Sequence, residues 1–163
     1  MDKFYRNSEW TYAPSPYVSE NTFIDREPEN APLPTYEEAR DVLPRPTWEG
    51  HDDAIACYNK AWELAFGNLR QPEPGSGFVS NFIDTAFNGC TFMWDSSFIL
   101  MFGKYGSRVF NFQNTLNNFY SHQHKDGFIS REIEEDDGSE KFTRFDPSAT
   151  GPNVMPWCEW EYY

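Results

Sequence analysis

Apolar and polar positions alternate differently along different stretches of this chain, and each pattern predicts a different element. Between residues 51 and 67, Ile55, Tyr58, Trp62 and Ala65 recur near one face at helical spacing. Asp52 or Asp53 stands where an N-cap is wanted and Gly67 where a helix stops, so an amphipathic helix to Phe66 is expected. The run Ser97 to Phe102 has no polar face, which predicts a buried helix with Asp95 or Ser96 as its N-cap. After a break at Gly103 to Gly106, Ser107 can cap a second amphipathic helix bearing Val109, Phe112, Leu116, Phe119 and Gln123. His124-Lys125-Asp126-Gly127 ends that helix in a turn. Two strand-like runs, Phe128 to Ile133 and Lys141 to Phe145, then flank the hairpin signal Asp136-Asp137-Gly138.

Other stretches lack such periodicity. Residues 1–50 contain Pro14, Pro16, Pro28, Pro32, Pro34, Pro44 and Pro46, which break any long helix or central strand. They predict an extended arm whose aromatic residues lie along a folded body, with a short helix only at Tyr36 to Asp41. Pro72 to Gly77 reads as a loop, and Phe78 to Phe87 as extended or helical in short pieces. The chain ends in Trp157-Cys158-Glu159-Trp160-Glu161-Tyr162-Tyr163, an aromatic, helix-compatible start with nothing after it to pack against. A fragment of a longer domain is the expectation.

Composition changes this picture in two ways. Fifteen Phe, nine Tyr and six Trp among 163 residues exceed what packing needs, which favours a ligand that stacks on rings, and carbohydrate above all. The net charge of -13 argues against a nucleic-acid partner, because a phosphate backbone demands Lys and Arg clusters. An anionic membrane surface is disfavoured for the same reason. No signal peptide or membrane-spanning stretch is visible, and Cys57, Cys90 and Cys158 have no metal-binding spacing and suit free thiols. A reducing, cytoplasmic location is the default expectation, which a lost leader would mimic.

The densest chemistry lies in Asn88 to Phe98. A sugar offers hydroxyls that want a charged acceptor and a C–H face that wants an aromatic plate, and Trp94 beside Asp95 supplies both. Asp95 could equally be a plain cap, and Trp94 plain core. Arg131 and Glu132 alternate on an expected strand, one toward a pocket and one toward solvent, or form a simple surface ion pair. His122 and His124 diverge at a helix end, which disfavours metal binding. Glu134, Glu135, Asp136 and Asp137 read as a solvated hairpin tip, since a calcium loop needs alternating ligands in register. Cys90 reads as a small buried hydrophobe.

Taken in order, several blocks resemble the six-hairpin, (α/α)6-barrel glycoside hydrolases that include trehalases, family 63 α-glucosidases and the mannosylglycerate-hydrolase-like group. Tyr58-Asn59-Lys60-Ala61-Trp62-Glu63-Leu64-Ala65 looks like an early barrel helix, and Phe92-Met93-Trp94-Asp95-Ser96-Ser97-Phe98 is similar to a Trp-Asp signature that trehalases also carry. Gln123 to Glu132 looks like a recurring Gln-x-x-x-Asp-Gly-Phe turn, and Gly151-Pro152-Asn153-Val154-Met155-Pro156-Trp157 resembles the Pro-rich approach to another inner helix. The mannosylglycerate-hydrolase-like group is nearer than the trehalases, whose Gly-Gly-Arg-Phe stretch is absent.

The resemblance covers residues 45–163 and implies a mainly α fold: a partial barrel from residue 51 onward, truncated at its C-terminus, after an extended arm at 1–50 and with one small β-hairpin. It implies hydrolysis of O-glycosidic bonds with inversion, no cofactor and no metal. Trp94 and Asp95 would line the sugar subsite, with Phe92, Arg131, Glu132, Asn153, Trp157 and Glu159 around it. The family's acid and base sit on later hairpins, and the acid's own motif has no match here, so the remainder of the domain is the expected partner besides the carbohydrate. Gly151-Pro152-Asn153 replaces the family's frequent Gln-Pro-Pro. Twelve helices of about 11 residues joined by loops of about 5 need close to 190 residues, so a barrel cannot close in this length. The rival readings are a non-catalytic carbohydrate-binding module, and a small complete enzyme using Asp95 and Glu132.

Overall fold

Local signals account for the first two helices. The computed structural model describes residues 16–163 apart from residues 18, 86–87, 143–145, 150 and 152. Helix α1, Tyr36–Ala39, starts in a capping box: Thr35 Oγ1 accepts from Glu38 N–H at 3.3 Å while Thr35 N–H donates to Glu38 Oε2 at 2.8 Å. Helix α2, Asp52–Gly67, has His51 at its cap position, so Asp52 and Asp53 lie in the first turn, complementing the helix dipole. Its apolar stripe turns Trp62, Ala65 and Phe66 inward.

Two small antiparallel sheets follow, so the fold is mixed rather than purely helical. Strands β1 (Leu69–Arg70) and β2 (Phe82–Ile83) pair Leu69 with Ile83 and Arg70 with Phe82. Strands β3 (Cys90–Phe92) and β4 (Glu132–Glu134) pair Cys90 with Glu134, Thr91 with Ile133 and Phe92 with Glu132. The expected hairpin turn at Gly138 is present, with Ile133 bridged to Glu140, but the ladder partner of β4 is the distant β3. The end of the expected second strand, 143–145, lies outside the described residues.

Helix α3, Met93–Gly103, begins where β3 ends, so Phe92 in extended conformation occupies the cap position rather than Asp95 or Ser96. The predicted helix from Ser107 to Gln123 is much shorter: the chain makes turns and a 3-10 segment, Phe112–Asn114, before α4, Thr115–Ser121. The reason is packing. Phe112 is driven into the centre of the core against Trp62, Phe66, Phe102 and Phe110, which a continuous helix from Ser107 would not allow. Helix α5, Met155–Tyr162, closes the described chain, with Pro156 in its first turn where its missing N–H costs nothing.

Helices α3 and α5 lie side by side and run parallel. Near their N-terminal ends Phe98 meets Trp157 and Cys158 Sγ donates to Ser97 O at 3.1 Å; near their C-terminal ends Lys104 Nζ meets Glu161 Oε2 at 2.7 Å. The arm is no loose appendage, since Asn21 Nδ2 donates to Tyr120 O at 2.8 Å and Asn81 N–H to Glu29 Oε2 at 3.0 Å, and Ala39 and Leu43 are in the core.

Gly103 is the tightest point of the α3 contact, because a Cβ there would stand 2.8 Å from Phe112 Cβ and Cγ. Gly103→Ala would gain about 1 kcal/mol of helix propensity. Overpacking against a buried ring costs about 1–3 kcal/mol, and Phe112 has nowhere to move. A net fall in thermal midpoint of up to about 8 °C is expected; a rise would show slack that the packing denies.

Candidate functional site

The ladder between β3 and β4 does not stop at the strands. Met93 N–H donates to Arg131 O at 2.9 Å, which seats the first turn of α3 against the start of β4. Trp94 and Asp95 therefore lie on the second and third residues of α3, and Phe92 lies directly opposite Glu132. No side-chain cap bonds the first turn of α3, and Asp95 sits at its electropositive end.

Trp94 is 49% exposed and packs against Phe98 with ring centroids 5.0 Å apart. Phe98, 43% exposed, meets Trp157 of α5 edge-on at 5.9 Å, and Trp157 is 44% exposed. Three rings thus form an open row from the first two turns of α3 to the first turn of the parallel α5. Among the described residues Trp94 is not packed as plain core. Asp95 and Phe92 are half-buried beside it.

Arg131 and Glu132 do not diverge to opposite faces as strand alternation predicts, because Arg131 precedes β4 and its Nη1 meets Glu132 Oε1 at 2.6 Å. The guanidinium also lies 3.7 Å from the centre of the Phe142 ring, and Nε donates to Ser148 O at 3.2 Å. These contacts hold Arg131 on the wall of a cavity of about 490 Å³ at the N-terminal ends of α3 and α5, lined also by Asn153, Asp146, Gln123, Tyr120 and Met93. Neither Trp94 nor Asp95 lines this cavity, so ring row and cavity are adjacent features.

Glu159 faces a different hollow, of about 680 Å³, with Trp160 and Tyr162. Its Oε1 accepts from Tyr120 Oη at 2.7 Å and its Oε2 from Gln113 Nε2. Burial, reinforced by this carboxylate, pushes the Tyr120 hydroxyl well above its ordinary range, so it stays a donor. Tyr120 and Pro156 stand between the two hollows and line both. Tyr120 had no local signal in the sequence. It reads as one more polar-tipped ring on α4, and only the approach of α5 gives it a role.

The two histidines are buried separately. His124 Nε2 pairs with Glu140 at 2.8 and 3.0 Å, and His122 is bonded to Asn118 O and Ser76 O. Cys90 is buried, its Sγ donating to Glu134 Oε2 at 3.3 Å; burial first, then that carboxylate, pushes the thiol up to about 12, so it is no nucleophile. Among the described residues no group of three or more His, Cys, Asp or Glu is placed to hold a metal ion, and no helix is long and apolar enough to cross a membrane. Compared with known proteins, the chain matches no family model, no curated sequence and no solved structure.

Proposed function

We propose that this chain supplies part of the sugar-binding pocket of a glycoside hydrolase of the helical-barrel type. The observation that supports the reading best is the pair of parallel helices α3 and α5, whose first turns present Trp94, Asp95 and Trp157 at one end. Exposed indoles offer the stacking plates and Asp95 the hydroxyl acceptor that a pyranose requires. Arg131 and Asn153, in the adjoining cavity, supply further polar contacts.

Helix α3 has no polar face beyond its first turns, yet Phe102 near its C-terminal end is exposed, away from the ring row, as is Trp160 of α5. A helix of that composition is normally covered all round. In this reading further helices of the same barrel cover it and carry the general acid and base. Inversion would place those carboxyl groups about 6.5–9.5 Å apart, with an activated water between base and sugar. None of the described carboxylates is assigned either role.

The expected result with the 163 residues is weak saccharide binding and no hydrolysis. In saturation-transfer NMR with a panel of methyl pyranosides and disaccharides, sugar C–H protons should receive signal from the protein. Trp94→Ala should weaken binding roughly three- to tenfold, the worth of one stacked ring. Equal binding by the variant would remove Trp94 from the site. The openness of the ring row also suits a non-catalytic sugar-binding surface. Hydrolysis of aryl glycosides by a longer form, absent from the module reading, separates the two.

A further inference from the structure

Where the two sheets meet, outside the candidate site, two acidic side chains face one another. Asp84 follows β2 and is buried; Glu135 follows β4 and is half-buried. Their side chains are in hydrogen-bonding contact. Yet Asp84 Oδ1 and Glu135 Oε1 are both shut off from water with no donor in reach among the described residues. Two ionised carboxylates only accept, so neither can satisfy the other. A single proton between them converts an uncompensated contact into a hydrogen bond.

The backbone holds both partners in place. Asp84 N–H donates to Asn68 O at 3.0 Å, continuing the β1–β2 ladder, and Glu135 N–H donates to Gly89 O at 2.9 Å, continuing β3–β4. Burial first, then Asp84, pushes the Glu135 carboxyl up to about 8; the guanidinium of Arg70 on β1 opposes this and Asp136 on the turn adds to it. Among the described residues no group of three or more ligating side chains forms here, which favours a proton over a metal ion as the third party.

We infer that Asp84 and Glu135 share one proton, and that this proton is a latch fastening the β3–β4 sheet to the β1–β2 sheet and released in alkaline solution. The latch is at one end of β4, and Arg131 and Glu132 are at the other. Release therefore loosens the strand that positions the cavity wall and the first turn of α3.

The direction follows from proton linkage. Glu135 binds its proton more tightly folded than unfolded, so the added stability is complete below the unfolded value of 4.5 and is lost as pH rises through about 8. Denaturation of the protein and of its Glu135→Gln and Asp84→Asn variants between pH 4 and 10 tests this. Either amide keeps a donor in the contact without titrating. The folded-to-unfolded ratio of the wild type should fall relative to each variant by up to tenfold per pH unit across that window, less where water screens the carboxyl, and level off above it. Amide exchange at Glu134 and Glu135, corrected for its intrinsic pH dependence, should rise above pH 8 in the wild type alone.

Parallel pH curves for wild type and a folded variant would overturn the latch. So would a selective rise in the wild-type thermal midpoint on adding millimolar Ca2+ or Mg2+ above pH 8, since a cation would then hold the pair. Should one variant fail to fold, the other carries the comparison, and the wild-type exchange profile stands by itself: no rise above pH 8 overturns the proposal.

Discussion

Phe112→Ala is expected to lower stability by about 3–5 kcal/mol, a large part of the 5–15 kcal/mol a domain possesses. Phe112 is fully buried and its ring packs edge-on or tilted against four others: Phe110 at 5.0 Å, Phe66 at 6.1 Å, Trp62 at 6.2 Å and Phe102 at 6.4 Å. Truncation removes the transfer free energy of the ring and leaves a cavity. Collapse is hindered because the surrounding rings come from α2, from α3 and from the preceding turn, each anchored elsewhere. For a chain of this size the thermal midpoint should drop roughly 6–20 °C by circular dichroism. A drop under 3 °C would mean that Phe112 is not at the centre of the core.

The next largest loss is expected for Glu140→Ala, by a different mechanism. Both carboxylate oxygens of Glu140 approach His124 Nε2, the two side chains are almost completely shielded from solvent, and His124 Nδ1 has no partner among the described residues. Removing the carboxylate leaves a buried imidazole with no partner among the described residues at either nitrogen, and orphaning a buried polar group costs about 1–3 kcal/mol. The pair ties the turn after α4 to the returning arm of the hairpin, so local opening there should precede global unfolding. The double variant His124→Phe/Glu140→Leu should recover most of the loss, because two packed apolar side chains leave no buried polar group without a partner. If the double variant is as unstable as the single one, the pair is not what holds the hairpin.

Different parts of the fold were legible in the sequence to different degrees. Helix α2 was readable from a stripe at helical spacing and a terminal glycine, which act within a few positions, while its cap is His51 rather than the expected Asp52 or Asp53. The apolar run of α3 was equally plain, but not its start. Phe92 is extended because its backbone belongs to a ladder with β4, and Cys90 and Glu134 in that ladder are 44 positions apart. The helix expected from Ser107 failed for the opposite reason. Its apolar spacing correctly named Phe112, Leu116 and Phe119 as buried, but burial of Phe112 required a tighter backbone than a helix offers.

The candidate site divides along the same line. Residue types and adjacency, an indole beside a carboxylate ahead of an apolar helix, are properties of consecutive residues and were determined by the sequence alone. That Trp94 is exposed, that Phe98 and Trp157 extend it into a row, that Arg131 pairs with its neighbour, and that Glu159 turns to Tyr120 were decided by tertiary structure. The same holds for the meeting of Asp84 with Glu135, since Glu135 reads as part of a solvated tip until two sheets bring the pair together. Helical periodicity and capping are encoded within a turn or two, where the chain cannot avoid them. Strand partners, and the burial of a charge, depend on which distant segments win the competition to pack.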